Sequence, residues 1–151
     1  MREAVGNSLV MGMVAAIIGI IMIFFVGSIS YSKAYKVKNK IINIIEENNG
    51  WNTEKMEDNI DDYLREVGYQ VGAGAGLAEC KSSGRANETV VYTPNDTGYN
   101  YCVIKYCQNG QKNCYYKVIT YMRFEFPVIG SILEFPVKGE TKTFGYFDGN
   151  A

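Results

Sequence analysis

Twenty-one residues, Leu9 to Ile29, carry no charge and hold only Gly12, Gly19, Gly27 and Ser28 outside the apolar set. Crossing a 30 Å hydrocarbon core takes about 20 such residues as a helix. A secretory signal has a shorter apolar region, about 7–15 residues, before a small-x-small cleavage site. Here the run is longer, and the Ser28-Ile29-Ser30-Tyr31-Ser32-Lys33 that follows keeps a helical pattern. The run therefore reads as a spanning helix and not as a discarded signal.

Placed at 100° per residue, Ser8, Gly12, Ala15, Gly19 and Ser30 fall within about 60° of one another, with Ala16 and Gly27 at the edge. Ile23 interrupts this stripe. Small residues in register let membrane helices approach backbone to backbone, where no hydrophobic drive separates lipid from protein. Chance alignment of the small residues common in any anchor is the competing reading. Beyond the apolar run, Ala34, Val37, Ile41, Ile44 and Ile45 share one face, and Lys36, Lys40, Asn43 and Glu47 take the opposite one. Asn48-Asn49-Gly50 supplies a C-cap. One helix over residues 7–49 is expected, roughly 60 Å long, half in lipid and half against a soluble domain.

Of the 151 residues, about a hundred remain beyond this helix, enough for one modest core. Asn52 or Thr53 caps a second helix through Val67, with Met56, Ile60, Tyr63, Leu64 and Val67 as its buried stripe and Gly68 as its stop. Asp58, Asp61 and Asp62 lack the glycine and ligand spacing of a calcium loop and read as a solvated face. The Gly72–Gly76 run GAGAG lacks the Lys-Ser/Thr of a phosphate loop and reads as a connection. Strands are expected at Thr89–Thr93, Tyr99–Tyr106 and Tyr115–Phe126, with turns at Pro94–Gly98 and Asn109-Gly110. On the long strand Tyr116, Val118, Thr120, Met122, Phe124 and Phe126 share a face. The near-repeat FEFPVIGS and LEFPVKGE reads as two strands ending at Pro127 and Pro136, and Thr141–Phe147 as a last edge strand. The expected fold class is α+β, a long N-terminal transmembrane and amphipathic helix packed on a small antiparallel sheet.

The chain has no histidine, which removes Ser-His and Cys-His catalysis and the commonest metal ligand. A net charge of −1 gives no field for nucleic acid. No nucleophile–base pair or paired carboxylates can be assembled, so no enzyme activity, cofactor, metal or small-molecule substrate is expected. Cys80, Cys102, Cys107 and Cys114 suggest two disulfides, for which three pairings exist. Cys107 and Cys114 flank the Asn-Gly turn, which favours that pair and leaves Cys80 with Cys102. A zinc site is the rival, without the paired knuckle spacing zinc uses. Lys33, Lys36, Lys38 and Lys40 after the run argue for a cytoplasmic domain by the positive-inside rule. The paired cysteines argue for the outside, and the outside is preferred because a domain covering the amphipathic helix accounts for those lysines.

The leader Met1–Gly6, the Gly6-Asn7 junction before Ser8-Leu9, the uncharged helix, its amphipathic extension and the disulfide-bearing sheet together resemble type IV pilins, and among them TadE-like pseudopilins. Val137–Phe144, VKGETKTF, also looks like tails of such proteins. The resemblance covers the N-terminal third in architecture. It implies cleavage between Gly6 and Asn7 and assembly with copies or other pilin-like subunits through Ser8, Gly12, Ala15 and Gly19. It further implies a C-terminal domain, residues 50–151, outside the cytoplasm, on the membrane or in a filament. Pilins carry Glu at the fifth mature position; here that residue is Met11. A single-pass anchored extracellular binding domain is the alternative.

Overall fold

The computed structural model describes residues 2–51, 53–69, 80, 87–92, 101–108, 113–125 and 132–145. Two helices, α1 (Arg2–Glu47) and α2 (Thr53–Glu66), precede five strands, β1 (Glu88–Tyr92), β2 (Tyr101–Gln108), β3 (Asn113–Glu125), β4 (Ile132–Glu140) and β5 (Phe144–Gly145). The strands form one antiparallel sheet in the order β1-β2-β3-β4, with β5 also on β3. This is the α+β class expected, a long apolar helix on a small antiparallel sheet. Residues 72–76, the turns at 94–98 and 109–110, Asn52 and Pro127 lie outside the described residues.

α1 runs unbroken for 46 residues, about 69 Å at 1.5 Å each. It ends in a Schellman motif. Asn49 takes the left-handed conformation at φ 52°, and Gly50 N–H reaches back to Ile45 O at 3.0 Å. α2 ends the same way, with Gly68 at φ 62° and Tyr69 N–H donating to Leu64 O at 2.9 Å. That closure sends the chain back over Leu64 and carries Tyr69 into the core.

The core lies between the helices and one sheet face. Ala34, Val37, Ile41, Ile44 and Ile45 of α1 pack with Met56, Ile60 and Leu64 of α2 and with Tyr101, Val103, Tyr116, Val118 and Val137 of the sheet. The second half of α1 is thus part of the soluble core. The opposite sheet face holds a smaller cluster of Cys80, Cys102, Ile104, Ile119 and Tyr121.

The seam of α1 facing the sheet is graded. Gly27, Ser30, Ala34, Val37, Ile41 and Ile44 recur at alternating spacings of three and four, with small side chains at the first three positions and branched aliphatic ones at the last three. Gly27 is the first buried residue along α1, Ser30 is half-buried, and the other four are buried. Small residues allow close approach, and at Ala34 the buried Thr120 hydroxyl donates to the helix carbonyl at 3.0 Å. At the other end the isoleucines fill a space that α2 also enters.

β4 and β5 share one edge of β3. Between them Thr141 N–H donates to Tyr116 O at 2.9 Å, and Tyr116 N–H donates to Thr141 Oγ1 at 3.0 Å. The hydroxyl replaces a ladder carbonyl where the strand is interrupted, so β5 begins at Phe144, later than the expected start at Thr141, and Tyr146 and Phe147 lie outside the described residues. The expectation that a strand ends at Pro136 is corrected, because β4 continues through it to Glu140. Pro136 opposes Tyr121 on an outer strand, and the backbone groups of Tyr121 are turned toward the β2 side. The absent proline N–H therefore faces the free edge, where it costs no ladder bond and blunts edge-to-edge pairing.

Gly139 is where β4 touches the helix. A Cβ there would meet Lys38 Cδ at 2.7 Å and Ile42 Cδ1 at 2.8 Å. Gly139→Val is expected to lower stability by about 2 kcal/mol through overpacking, and Gly139→Ala by less, since the obstructing atoms are side-chain ends. Urea midpoints measure both, and an unchanged midpoint for the valine variant would show that the helix is not held at this distance.

Candidate interaction surface of the N-terminal helix

Leu9, Met11, Ile20, Met22 and Phe24 are 58%, 69%, 67%, 63% and 76% exposed, and every residue from Ser8 to Val26 is exposed. The helix is long and apolar enough to cross a membrane from Ser8 onward, and that window is unburied. A soluble domain rarely leaves so large a contiguous apolar surface open unless lipid or protein covers it.

Ser8, Gly12, Ala15 and Gly19 are all exposed on this bare segment. A Cβ added at Gly12 or Gly19 would meet nothing within 4 Å. The glycines are thus not required by this chain's own packing, although each costs helix propensity, about 1 kcal/mol relative to alanine in water. Gly6 and Asn7 lie inside α1, which continues through that junction.

Where the helix leaves its apolar run, Tyr31 and Tyr35 stack at 6.2 Å between centroids, and Lys38 Nζ sits 4.2 Å over the Tyr35 ring. Lys38 is only 8% exposed, its stem pressed on Gly139. Lys33, Lys36 and Lys40 remain exposed, Lys40 lying 5.8 Å above the Tyr63 ring. The domain covers one of the four lysines.

Cys107 pairs with Cys114 at Cα–Cα 4.1 Å, and Cys80 with Cys102 at 5.9 Å. The first pair joins register partners on β2 and β3. The second reaches the opposite face of the sheet, where Cys80 Sγ also lies 3.4 Å from the Tyr121 hydroxyl. The two bridges hold opposite faces, and such bonds persist in oxidising compartments. Among the described residues no group of three acidic or cysteine side chains is placed to hold a metal. Asp61 has its carboxyl raised by burial, with Arg65 opposing and Asp58 and Asp62 adding.

Sequence reasoning did not single out Tyr69. Its hydroxyl donates to Tyr121 O at 2.9 Å and accepts from Tyr121 N–H at 2.8 Å. β2 starts at Tyr101, opposite Thr120, and next to that pair the Tyr69 phenol takes both backbone groups of Tyr121. One phenol thus ties the end of α2 to the middle of the sheet. The only local signal was an aromatic residue directly after a helix-stopping glycine. Tyr69→Phe is expected to cost about 2 kcal/mol, because it leaves a buried N–H and C=O without their partner.

Burial pushes the Tyr69 hydroxyl well above its ordinary range, with Glu134 adding and the Tyr121 backbone bond opposing. The folded state therefore retains this proton at a pH where the unfolded chain releases it. Its contribution is complete below about pH 10 and is lost as pH rises above that. Tyr69→Phe should flatten this part of the alkaline unfolding curve. A variant with both the wild-type midpoint and the wild-type alkaline slope would contradict this role.

Comparison with protein-family models, curated proteins and solved structures finds no significant match.

Proposed function

We propose that this chain is a non-enzymatic, pilin-like surface subunit that assembles through its N-terminal helix, with its sheet domain outside the cytoplasm. The observation that carries the reading is the division of one continuous helix into a bare apolar half and a half built into the domain core. Such a helix transmits position rigidly between a membrane or filament axis and the sheet. The disulfides favour an oxidising compartment, and the open glycines leave room for a neighbouring helix. The partners are further copies or other pilin-like subunits; nucleic acid and small substrates have no part in the reading.

Intact mass of the protein from native membranes and from sheared surface material tests it. The expected mature chain begins at Asn7. Retention of residues 1–6 in all fractions would defeat the processing step and with it the pilin-like assignment.

Met11 favours a second reading. It stands at the fifth position counted from Asn7 and is 69% exposed, where the pilin class places a glutamate. Without that carboxylate the chain serves as a single-pass anchored extracellular domain that does not polymerise, and the same mass measurement separates the two.

A further inference from the structure

We propose that the membrane-facing end of the sheet, marked by Phe135 on β4 opposite Met122 on β3, rests in the lipid headgroup layer of the bilayer that α1 enters. This rests on the reading of α1 as a membrane helix and adds a second, independent contact with the lipid.

Two hydrogen bonds fix the height of the sheet along α1. Thr120 Oγ1 is bonded to Ala34 O at 3.0 Å, which sets β3 level with α1 at that point. Farther along, Lys142 N–H donates to Glu46 Oε1 at 2.7 Å, so the Thr141–Lys142 end of the sheet lies at the far end of the helix. β3 therefore runs toward the membrane as its numbers rise. From Thr120 it continues five residues to Glu125, opposite Ile132. That is a reach of about 17 Å along the strand, or about eleven helical residues. Even with the strand inclined to the helix, the sheet end lies beside Ile23 to Ile29, the outer end of the apolar run. Gly27 is buried within a segment otherwise exposed, at the height where this places the sheet end.

Two constraints then fix the environment. The outer edge of β4 and the charged residues Arg123, Glu125 and Glu134 on β3 and β4 exclude the hydrocarbon. Phe135, which pairs with Met122 and is level with about residues 29–30, is 45% exposed next to a helix segment whose Ile29 and Tyr31 are 57% and 50% exposed. By sequence, residues 126–133 add no charge. Aromatic and apolar groups beside scattered charges suit the interfacial layer, about 5–7 Å thick on each side. The helix has room to ride outward, since Asn7 to Ile23 alone covers about 26 Å.

The test places tryptophan at chosen heights in the full chain, reconstituted in phosphatidylcholine vesicles brominated near the headgroup end of the acyl chains. Trp51 is the sole tryptophan, so Trp51→Phe gives a clean background. In it, Phe135→Trp should be quenched to about half the level of Ile20→Trp, while Lys138→Trp and native Trp51 stay unquenched. Phe135 is half-exposed, and a wild-type thermal midpoint shows that the variant folds. Quenching of Ile20→Trp without Phe135→Trp overturns the inference and leaves the anchor standing. Failure of both removes the membrane reading itself. A blue shift of Phe135→Trp that follows protein concentration and ignores lipid assigns this end to a second copy and also overturns it.

Discussion

Reduction of both disulfides is expected to lower the stability of the folded sheet by about 6 kcal/mol, as much as the entire stability of many domains of this size. In the chain-entropy account the 22-residue separation of Cys80 and Cys102 contributes about 3.4 kcal/mol, and the 7-residue separation of Cys107 and Cys114 about 2.4 kcal/mol. The longer bridge carries more than entropy. Cys80 and Cys102 are both buried in the small outer cluster with Ile104, Ile119 and Tyr121. Breaking that bridge leaves residue 80 held to this face only by packing and by its contact with the Tyr121 hydroxyl. Thermal scans with and without dithiothreitol measure the total, and Cys80→Ala with Cys102→Ala isolates the larger share. α1 should remain in detergent or lipid throughout, because its apolar stretch from Ser8 to Val26 is exposed and does not depend on the bridges. An unchanged midpoint in reductant would show that the core of α1, α2 and β3 is sufficient by itself.

Gly12→Leu combined with Gly19→Leu is expected to abolish helix-mediated association while leaving insertion and the fold unchanged. The two effects separate because both positions are empty on the chain's own account, with nothing within 4 Å of an added Cβ. Leucine also raises helix propensity and apolarity, so a simple anchor gains slightly. A neighbouring helix at close approach meets two isobutyl groups where it had backbone. Association by cross-linking or by energy transfer in vesicles should fall to the level of a monomeric control, with the soluble domain's melting point retained. Equal association in the variant would make the small-residue alignment an accident of composition and shift the balance to the anchored, non-polymerising alternative.

The helical half of this architecture was legible because its signal is periodic. Ala34, Val37, Ile41, Ile44 and Ile45 stand at helical spacing, and all are buried. The alternation of Tyr116, Val118 and Thr120 likewise placed them on the helix-facing side of β3. Strand limits were less accessible. Pro136 read as a terminator because local propensity does not reveal that β4 lies at an edge, where a proline is harmless. Thr141 gave no warning that its hydroxyl would enter the ladder and divide the final strand. Of the surface proposed for assembly, the bare apolar half and its glycines came from composition and spacing alone. Tyr69 and Gly139 did not, because their roles depend on Tyr121 and Lys38, fifty-two and about a hundred residues away.

The graded seam from Gly27 to Ile44 has a bearing on what the domain can do as a mechanical part. A helix with a uniform apolar stripe offers its partner several equivalent seats, one heptad apart. Here a slide of the sheet by seven residues toward the membrane would set contacts made for Val37 and Ile41 over Ser30 and Ala34, leaving voids. A slide the other way would force Val37 and Ile41 into gaps sized for serine and alanine. The taper behaves as a stop on a shaft. It holds the sheet at one height above the apolar run, so that pulling on the domain loads the helix at once, without slippage between them.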